Sequence, residues 1–395
     1  MAVNNEFYKT INELTNRSIT GDVTVPIDAA TWIDYGKAMQ ALDGQLLANG
    51  FLKNLLNRVK VTVDTFRTYK GKFLGVYRDT ADFGVIEMYK KKFYESRKAP
   101  FIGLKTGDQF PFTVYLPDED VTYFTDTNAR QTPITIQTVE LRGAFDSPET
   151  MDRFINHIFS NIANSLELQR EQARRALIVN GMRDVAVNHK PSSTPKIGQP
   201  VQYYDLIAMY NAAYAADKID AEWPETALAN PNFVRFAVSA IQAAVTSMRE
   251  VTDKMNGKGE KTFSANTHIV TVQPFKSAVT LTAMNTFNDN YLVDGVTGET
   301  VSWWESPNNP MLITANNSTE NIKGAVIDTI APYTHFLAVA YDEFTFGEFV
   351  DLNNTTSQYN GEVDATNYYY NDVHRYVYNE SAPLAVFGLG TPTTV

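Results

Sequence analysis

The 395-residue chain contains no cysteine. Disulfides, thiolate metal centres and cysteine nucleophiles are therefore excluded. A basic excess is also missing. The formal net charge is −11, which argues against a general nucleic-acid binder, whose footprint is basic. Long apolar runs are absent as well. HFLAVA at 335–340 is typical of the longest, far short of the ~20 residues a membrane-spanning helix needs. The opening MAVNNEFYKTINELTNRS holds no apolar core segment, so no secretory signal is expected. On that basis the Asn-x-Ser/Thr triplets at Asn16, Asn317, Asn354 and Asn379 carry no meaning.

Recognisable chemistry is scarce too. NGKGEKT at 256–262 approaches a phosphate loop but fails, because Glu260 separates Gly259 from Lys261 and no strand leads directly into it. There is no G-x-S-x-G elbow and no G-x-G-x-x-G turn. The histidines His157, His189, His268, His335 and His374 have no metal-ligand spacing. For His157, within a long helical stretch, a buried or interfacial structural role is expected. NDN at 288–290 and DGVTGE at 294–299 hold oxygen ligands, but the order of a calcium loop is missing, and turns explain them better. Asp342 and Glu343 are neighbours in strand-like text and point to opposite faces, so they read as a solvated acidic surface rather than an acid/base pair. No catalytic residue, metal site or cofactor is expected, and the chain does not read as an enzyme.

What is present is a helix of unusual length. DSPETMDRFINHIFSNIANSLELQREQARRALIVNG runs from Asp146 to Gly181. Asp146 or Ser147 suits the cap, Pro148 the first turn and Glu149 the positive end of the dipole. Met151, Phe154, Ile155, Ile158, Phe159, Ile162 and Leu166 recur at helical spacing, and Gly181 supplies a stop. The spacing predicts a helix over 148–180. Its second half (Glu167, Gln169, Arg170, Glu171, Gln172, Arg174, Arg175) is mostly charged and is expected to make polar contacts.

Around it, residues 1–60 read as an arm with helical pieces near 29–43 and 45–58. VKVTVDTFRTYKGKFLGVYRD begins a strand-rich stretch that runs through FPFTVYL and VTYFT to TPITIQTVELRGAF. After the long helix, a Pro/Ser-rich connector at 188–204 leads into alternating helices and strands. YDLIAMYNAAYAADK, PNFVRFAVSAIQAAVTSMREVTDK and PFKSAVTLTAMNTFN are helical text; THIVTV, TGETVSWWE and MLITA are strand text. Aromatic strands return at the end: GAVIDTI, HFLAVAYDEFTFGEFV, TNYYYNDVHRYVYN and APLAVFGL.

Charge is unevenly placed. From Arg58 to Lys105 there are 12 Lys and Arg against 5 Asp and Glu, a local +7 that leaves the rest at −18. From Gly324 to His374 there are 8 acidic residues and no Lys or Arg. Such asymmetry invites contact between the segments, within one chain or between copies. A solvated basic hairpin is the plainer alternative.

The order of these pieces, with TVPIDAATWIDYGKAMQ (24–40), NGFLKNLLNRVKVTVDTF (49–66), FGVIEMYKKKFYE (83–95), the long helix, and EVDATNYYYNDVHRYVYNESAPLAVF (362–387), resembles the major capsid proteins of tailed phages with the Hong Kong 97-type fold. It is most similar to those of small short-tailed podoviruses of the phi-29 type. The resemblance covers about half of the chain, and the 190–320 lobe matches only in outline. It implies an α+β fold with an N-terminal arm over 1–60 and an extended β-hairpin loop with the first peripheral-domain strands over 61–145. The spine helix of the peripheral domain would occupy 146–190, an α/β axial domain 191–323, and returning peripheral strands with the C-terminus 324–395. The extra C-terminal domain of the phi-29 type is not expected. The resemblance further implies hexamers and pentamers in an icosahedral shell, assembly in the host bacterial cytoplasm, and a final place in the virion. Its partners would be other copies, a scaffolding protein, a portal, and double-stranded DNA on the inner surface, with no membrane. Lys90, Lys91, Lys92, Arg97 and Lys98 are then expected to face the acidic strands of a neighbour near Glu343, Glu348 and Asp351; contact with packaged DNA is the alternative for the same lysines. Another β-rich phage or surface-layer protein, forming tubes or sheets, is the competing reading, and a hydrolase with an unrecognised acid pair is a third.

Overall fold

In the computed structural model, the described residues are 29–40, 76–80, 86–91, 119–124, 128–220, 224–285, 298–301 and 336–390. In chain order they form α1 (Ala29–Gln40), β1 (Tyr77–Thr80), β2 (Ile86–Lys91), β3 (Glu119–Phe124), β4 (Asn128–Gln137), α2 (Thr138–Ala144) and α3 (Pro148–Asn188). Then come β5 (Tyr203–Asp205), α4 (Leu206–Ala213), a 3-10 turn (Pro224–Ala229), α5 (Pro231–Arg249), β6 (Thr267–Val272), α6 (Gln273–Asn285) and β7 (Glu299–Val301). The last elements are β8 (Phe336–Asp342), β9 (Phe346–Asn360), β10 (Ala365–Tyr378) and β11 (Leu384–Gly388). The fold is mixed α+β. Among the described residues no helix is long and apolar enough to cross a membrane.

The chain divides into two compact units: 1–71, 127–173 and 350–375 in one; 72–126, 174–349 and 376–395 in the other. In the first unit β4 and β10 pair antiparallel, from Ala365↔Gln137 to His374↔Asn128, with β9 on the other side of β10. Period-two alternation sends Tyr368 and Tyr370 inward with Ile136, where they join Met151, Ile158, Ile162 and Leu166 from the first half of α3. α1 closes this core. Trp32 Nε1 donates to the Phe145 carbonyl at 3.2 Å, and the Trp32, Tyr35 and Phe145 rings lie 5.3 and 6.0 Å apart in sequence. Gly36 permits the approach, because a Cβ there would stand 2.5 Å from the same carbonyl oxygen.

The second unit is built on a five-stranded sheet of order β5-β11-β8-β6-β7. β8 and β11 are buried at every position, as expected of strands covered on both faces, and the sheet mixes parallel (β11–β5, β6–β7) with antiparallel pairs. α5 lays Phe233, Val234, Ala237, Ile241, Ala244 and Met248 into the same core. Its start is set by Asn230, whose side chain accepts from the N–H groups of Asn232 and Phe233 at 2.9 and 3.4 Å, with Pro231 following. Asp205 caps α4 in the same way, accepting from Ala208 N–H at 3.0 Å.

Several expectations are corrected. The long helix does not stop at Gly181 but continues to Asn188. Gly181 sits there because its missing Cβ would lie 2.8 Å from a Phe346 ring carbon, with Tyr378 stacked on that ring at 5.5 Å. The strand read through TPITIQTVELRGAF ends at Gln137; Thr138 opens α2, its N–H donating to the Asp364 carbonyl at 3.0 Å. Of the two caps expected for α3, Asp146 and Ser147, it is Ser147 that serves: its Oγ accepts from Thr150 N–H at 3.2 Å. The second N-terminal helix at 45–58, the text at 61–75, FPFTVYL, MLITA and GAVIDTI lie outside the described residues.

Candidate functional site

The charged second half of α3 is where sequence and structure differ most. Glu167, Glu171 and Arg174 are buried, with Arg174 at 0% and Glu171 at 2% exposure. Arg174 Nε donates to Glu348 Oε2 at 2.7 Å, and Glu348 on β9 is itself 2% exposed. In the other unit, Arg170 Nη2 lies 3.4 Å from both oxygens of Asp372, and His374 Nε2 lies 2.6 Å from Asp372 Oδ2. Period two on β10 places Asp372 and His374 on the inward side, in line with Tyr368 and Tyr370. A buried charge is tolerated only when paired and hydrogen-bonded, so these groups fix which helix face meets which strand.

That arrangement corrects the expected acidic surface. Glu348 is taken up by Arg174 inside its own chain and does not face outward. Asp342 is buried as well: Ser264 Oγ donates to it at 2.7 Å, and its Oδ2 accepts from Phe344 N–H at 3.2 Å, closing the turn between β8 and β9. Burial raises its carboxyl above the ordinary value, opposed by the Ser264 and Phe344 bonds. Glu343 is half-buried and accepts from Asn266 Nδ2 at 2.9 Å. Asp351 lies on β9, and its side chain is outside the described residues.

The basic residues divide similarly. Lys90 Nζ is 3.0 Å from Glu260 Oε2 and 3.0 Å from the Ser381 carbonyl, so it binds its own chain. The β2–β3 ribbon is rooted there, pairing from Ile86↔Phe124 to Lys91↔Glu119 and packing Ile86 and Phe124 on Phe349 and Val377. Lys91 lies on β2; Lys92, Arg97 and Lys98 are outside the described residues. Among the described side chains Lys90 pairs with Glu260 and not with Glu343 or Glu348.

The remaining candidates behave as structure. In NGKGEKT, Asn256 Oδ1 accepts from Glu260 N–H at 3.0 Å, Gly259 takes φ 65, and Thr252 bridges Thr262: a closed turn, not a phosphate cradle. His157 is exposed rather than buried. Asp217 lines a cavity of about 430 Å³ with Tyr214, Asn232, Arg235 and Phe236. The hydroxyl of Tyr210 and the amides of Asn232 and Asn230 hold its carboxyl below the ordinary range. Among the described residues no three His, Asp or Glu converge as a metal site.

Sequence reading missed the buried partners Arg174, Glu171 and Glu167. A signal existed. Ile158, Ile162, Leu166, Arg170 and Arg174 follow one another at i, i+4, so the charges occupy the continuation of the apolar stripe.

Comparison with known proteins completes the picture. A major capsid protein of Streptococcus phage Cp-1 is 27% identical over 161 residues, 39% of this chain and 42% of that protein, so the match spans less than half of the relative's length. The capsid structure of Staphylococcus phage Andhra aligns with TM-score 0.48 at 12% identity, over 82% of this chain and 86% of that one. The mature capsid of bacteriophage PhiM1 aligns with TM-score 0.43 at 8% identity, over 82% and 87%. The family model for the Phi29-like phage major capsid protein matches residues 11–388, nearly the whole chain. The chain therefore belongs to the family of Phi29-like phage major capsid proteins.

Proposed function

We infer that this chain is the shell subunit of a phage head: a structural protein of the virion that assembles with copies of itself. The observation that carries the reading is the family match over 11–388. Its finer form is a Hong Kong 97-type shell of hexamers and pentamers around double-stranded DNA. It is assembled in the host cytoplasm with a scaffolding protein and a portal. Residues 1–60 serve as the arm, 61–145 as the extended loop with the first peripheral strands, and 146–190 as the spine. The axial domain is 191–323, and 324–395 returns to the peripheral domain. The inter-subunit charge contact narrows to Lys91, Lys92, Arg97 and Lys98 against Glu343 and Asp351, since Lys90 and Glu348 have partners in their own chain. Each exposed pair would contribute only about 0–1 kcal/mol, so the pairs set register while apolar burial supplies adhesion.

Electron microscopy of the purified chain tests the reading. Closed particles are the expected result; filaments or sheets would favour a tail or surface-layer protein instead. Lys91→Glu with Lys92→Glu should lower the yield of closed particles while the circular-dichroism melt stays unchanged; unaltered particles would remove the charge contact.

A further inference from the structure

The cavity of about 430 Å³ lies within the second unit, against the first turns of α5. Small-molecule sites typically enclose about 300–1,000 Å³. Asn232, Arg235, Phe236 and Ser239 follow one another at i, i+3, i+4 and i+7, so a single face of α5 forms one wall. That wall runs for roughly 10 Å along the helix axis. Phe236 is buried, and the three polar side chains are exposed. Tyr214 forms a second wall. Its ring is 51% exposed, and it is braced by the buried rings of Tyr210 at 4.9 Å and, edge-on, of Phe236 at 6.0 Å. An open ring held by two buried ones is a preorganised stacking surface.

Asp217 supplies a fixed anion. Its Oδ2 accepts from the Tyr210 hydroxyl at 2.5 Å and from Asn232 Nδ2 at 3.2 Å. Asn230 Nδ2 is shared between Oδ1 at 3.2 Å and Oδ2 at 3.3 Å. A carboxylate oxygen accepts about two hydrogen bonds, so Oδ1 has one acceptor direction left. The same donors hold the carboxyl below its ordinary range, which keeps it ionised near neutrality. The lining therefore combines one carboxylate, one guanidinium and one open ring. A bare anion is opposed by Asp217 and a bare cation by Arg235. The ligand that uses every group has a planar ring to stack on Tyr214, an N–H for Asp217 and an anionic group for Arg235. We propose that this cavity is a nucleotide site, taking a monophosphate whose base carries an exocyclic amino group, as AMP and CMP do. The base stacks on Tyr214, its amino group donates to Asp217 Oδ1, and the phosphate meets Arg235.

The site goes beyond the shell reading and does not depend on it, because it belongs to the folded chain alone. It is tested by calorimetric titration of the dissociated full-length chain with AMP. Saturable binding is the expected result; no binding at millimolar AMP overturns the proposal. Ribose 5-phosphate, which keeps the phosphate and lacks the base, should bind about tenfold more weakly. Equal binding would make this a plain anion site and overturn the nucleotide. Purine riboside monophosphate, which lacks the amino group, should also bind more weakly; equality overturns the pairing with Asp217. Tyr214→Leu and Arg235→Gln alter exposed side chains, so each should leave the melt unchanged and weaken AMP binding about tenfold. Wild-type affinity in both variants overturns the site, and the ligand series on the unmodified chain decides the matter if either variant folds poorly. A DNA duplex should not displace AMP, since its bases are already stacked; displacement by duplex would show that backbone phosphate alone is read and overturn the inference. Displacement by oligo(dA) would identify the source as an unpaired strand, and its failure to compete would identify the free nucleotide, each in support of the site.

Discussion

In its first half α3 seats Met151, Ile158, Ile162 and Leu166 against the inward tyrosines of β10 in one unit. In its second half it seats Leu177, Ile178, Met182 and Val185 in the other unit's core, with Arg174 closed on Glu348 and Gly181 against the Phe346 ring. Both halves are buried, but by different means. The first is an amphipathic helix with a wet side, held mainly by non-directional apolar burial, with the Arg170–Asp372 pair at its end. The second is nearly surrounded, and its fit depends on the Arg174–Glu348 pair and one missing methyl. Apolar packing tolerates rearrangement, whereas a buried charge or a ring pressed on a backbone tolerates one register.

Substitutions can break or sharpen that contrast. The largest effect belongs to Arg174→Ala, which strands Glu348 in the interior. A loss of about 3–5 kcal/mol is expected by chemical denaturation. Arg174→Met combined with Glu348→Leu should recover most of it. If Arg174→Ala behaves like a surface change, the second half is solvated after all and the contrast disappears. Leu166→Ala, in the first half, should cost about 2–5 kcal/mol through lost burial and the cavity left behind, with no rescue by changing any single acid.

Gly181→Ala should cost about 1–3 kcal/mol in spite of alanine's better helix propensity, because the new Cβ meets the buried Phe346 ring. Adding Phe346→Leu should make the pair of changes less costly than their sum; strict additivity would deny the close contact. Ser147→Ala removes the cap of the first half and should lower stability by about 1 kcal/mol, read from the shift of the denaturation midpoint.

A pH series gives the finest distinction. Asp184, near the end of α3, is buried, and that burial raises its carboxyl above the ordinary value. The Asn188 amide and His189 oppose the rise. With the folded-state pKa raised, the neutral form is favoured. The destabilisation is therefore absent below the ordinary carboxylate pKa of about 3.9, and it grows as pH rises toward neutrality. Asp184→Asn should gain stability relative to the wild type between about pH 4 and 7. Parallel pH profiles for the two proteins would show that Asp184 carries no such load.

Much of the architecture was readable from residue order. THIVTV is strand β6 residue for residue, and PNFVRFAVSAIQAAVTSMREVTDK contains helix α5 behind its Asn230 cap, although the helix ends at Arg249, where Glu250 turns extended, and not at Lys254. Both obey a single period, and the start of each has a clear boundary. Failures came where local signals were ambiguous. TVELRGA follows strand text without a break, and only its bond to Asp364 shows where the helix begins. Glycine after an apolar run reads equally well as a stop or as a close approach, and Gly181 is the latter. Of the eight residues expected at a subunit contact, Lys90 and Glu348 proved to have partners hundreds of positions or a whole element away.

Local pattern was enough to specify that this chain would carry a capped helix of exceptional length, an α/β region after it and aromatic strands at the end. Those features depend on periodicity and turn chemistry, which neighbours in sequence supply. Which charges vanish into the interior and why position 181 must lack a side chain were decided by packing alone. Each depends on residues such as Arg174 and Glu348 that are remote in the chain and meet only when the elements assemble.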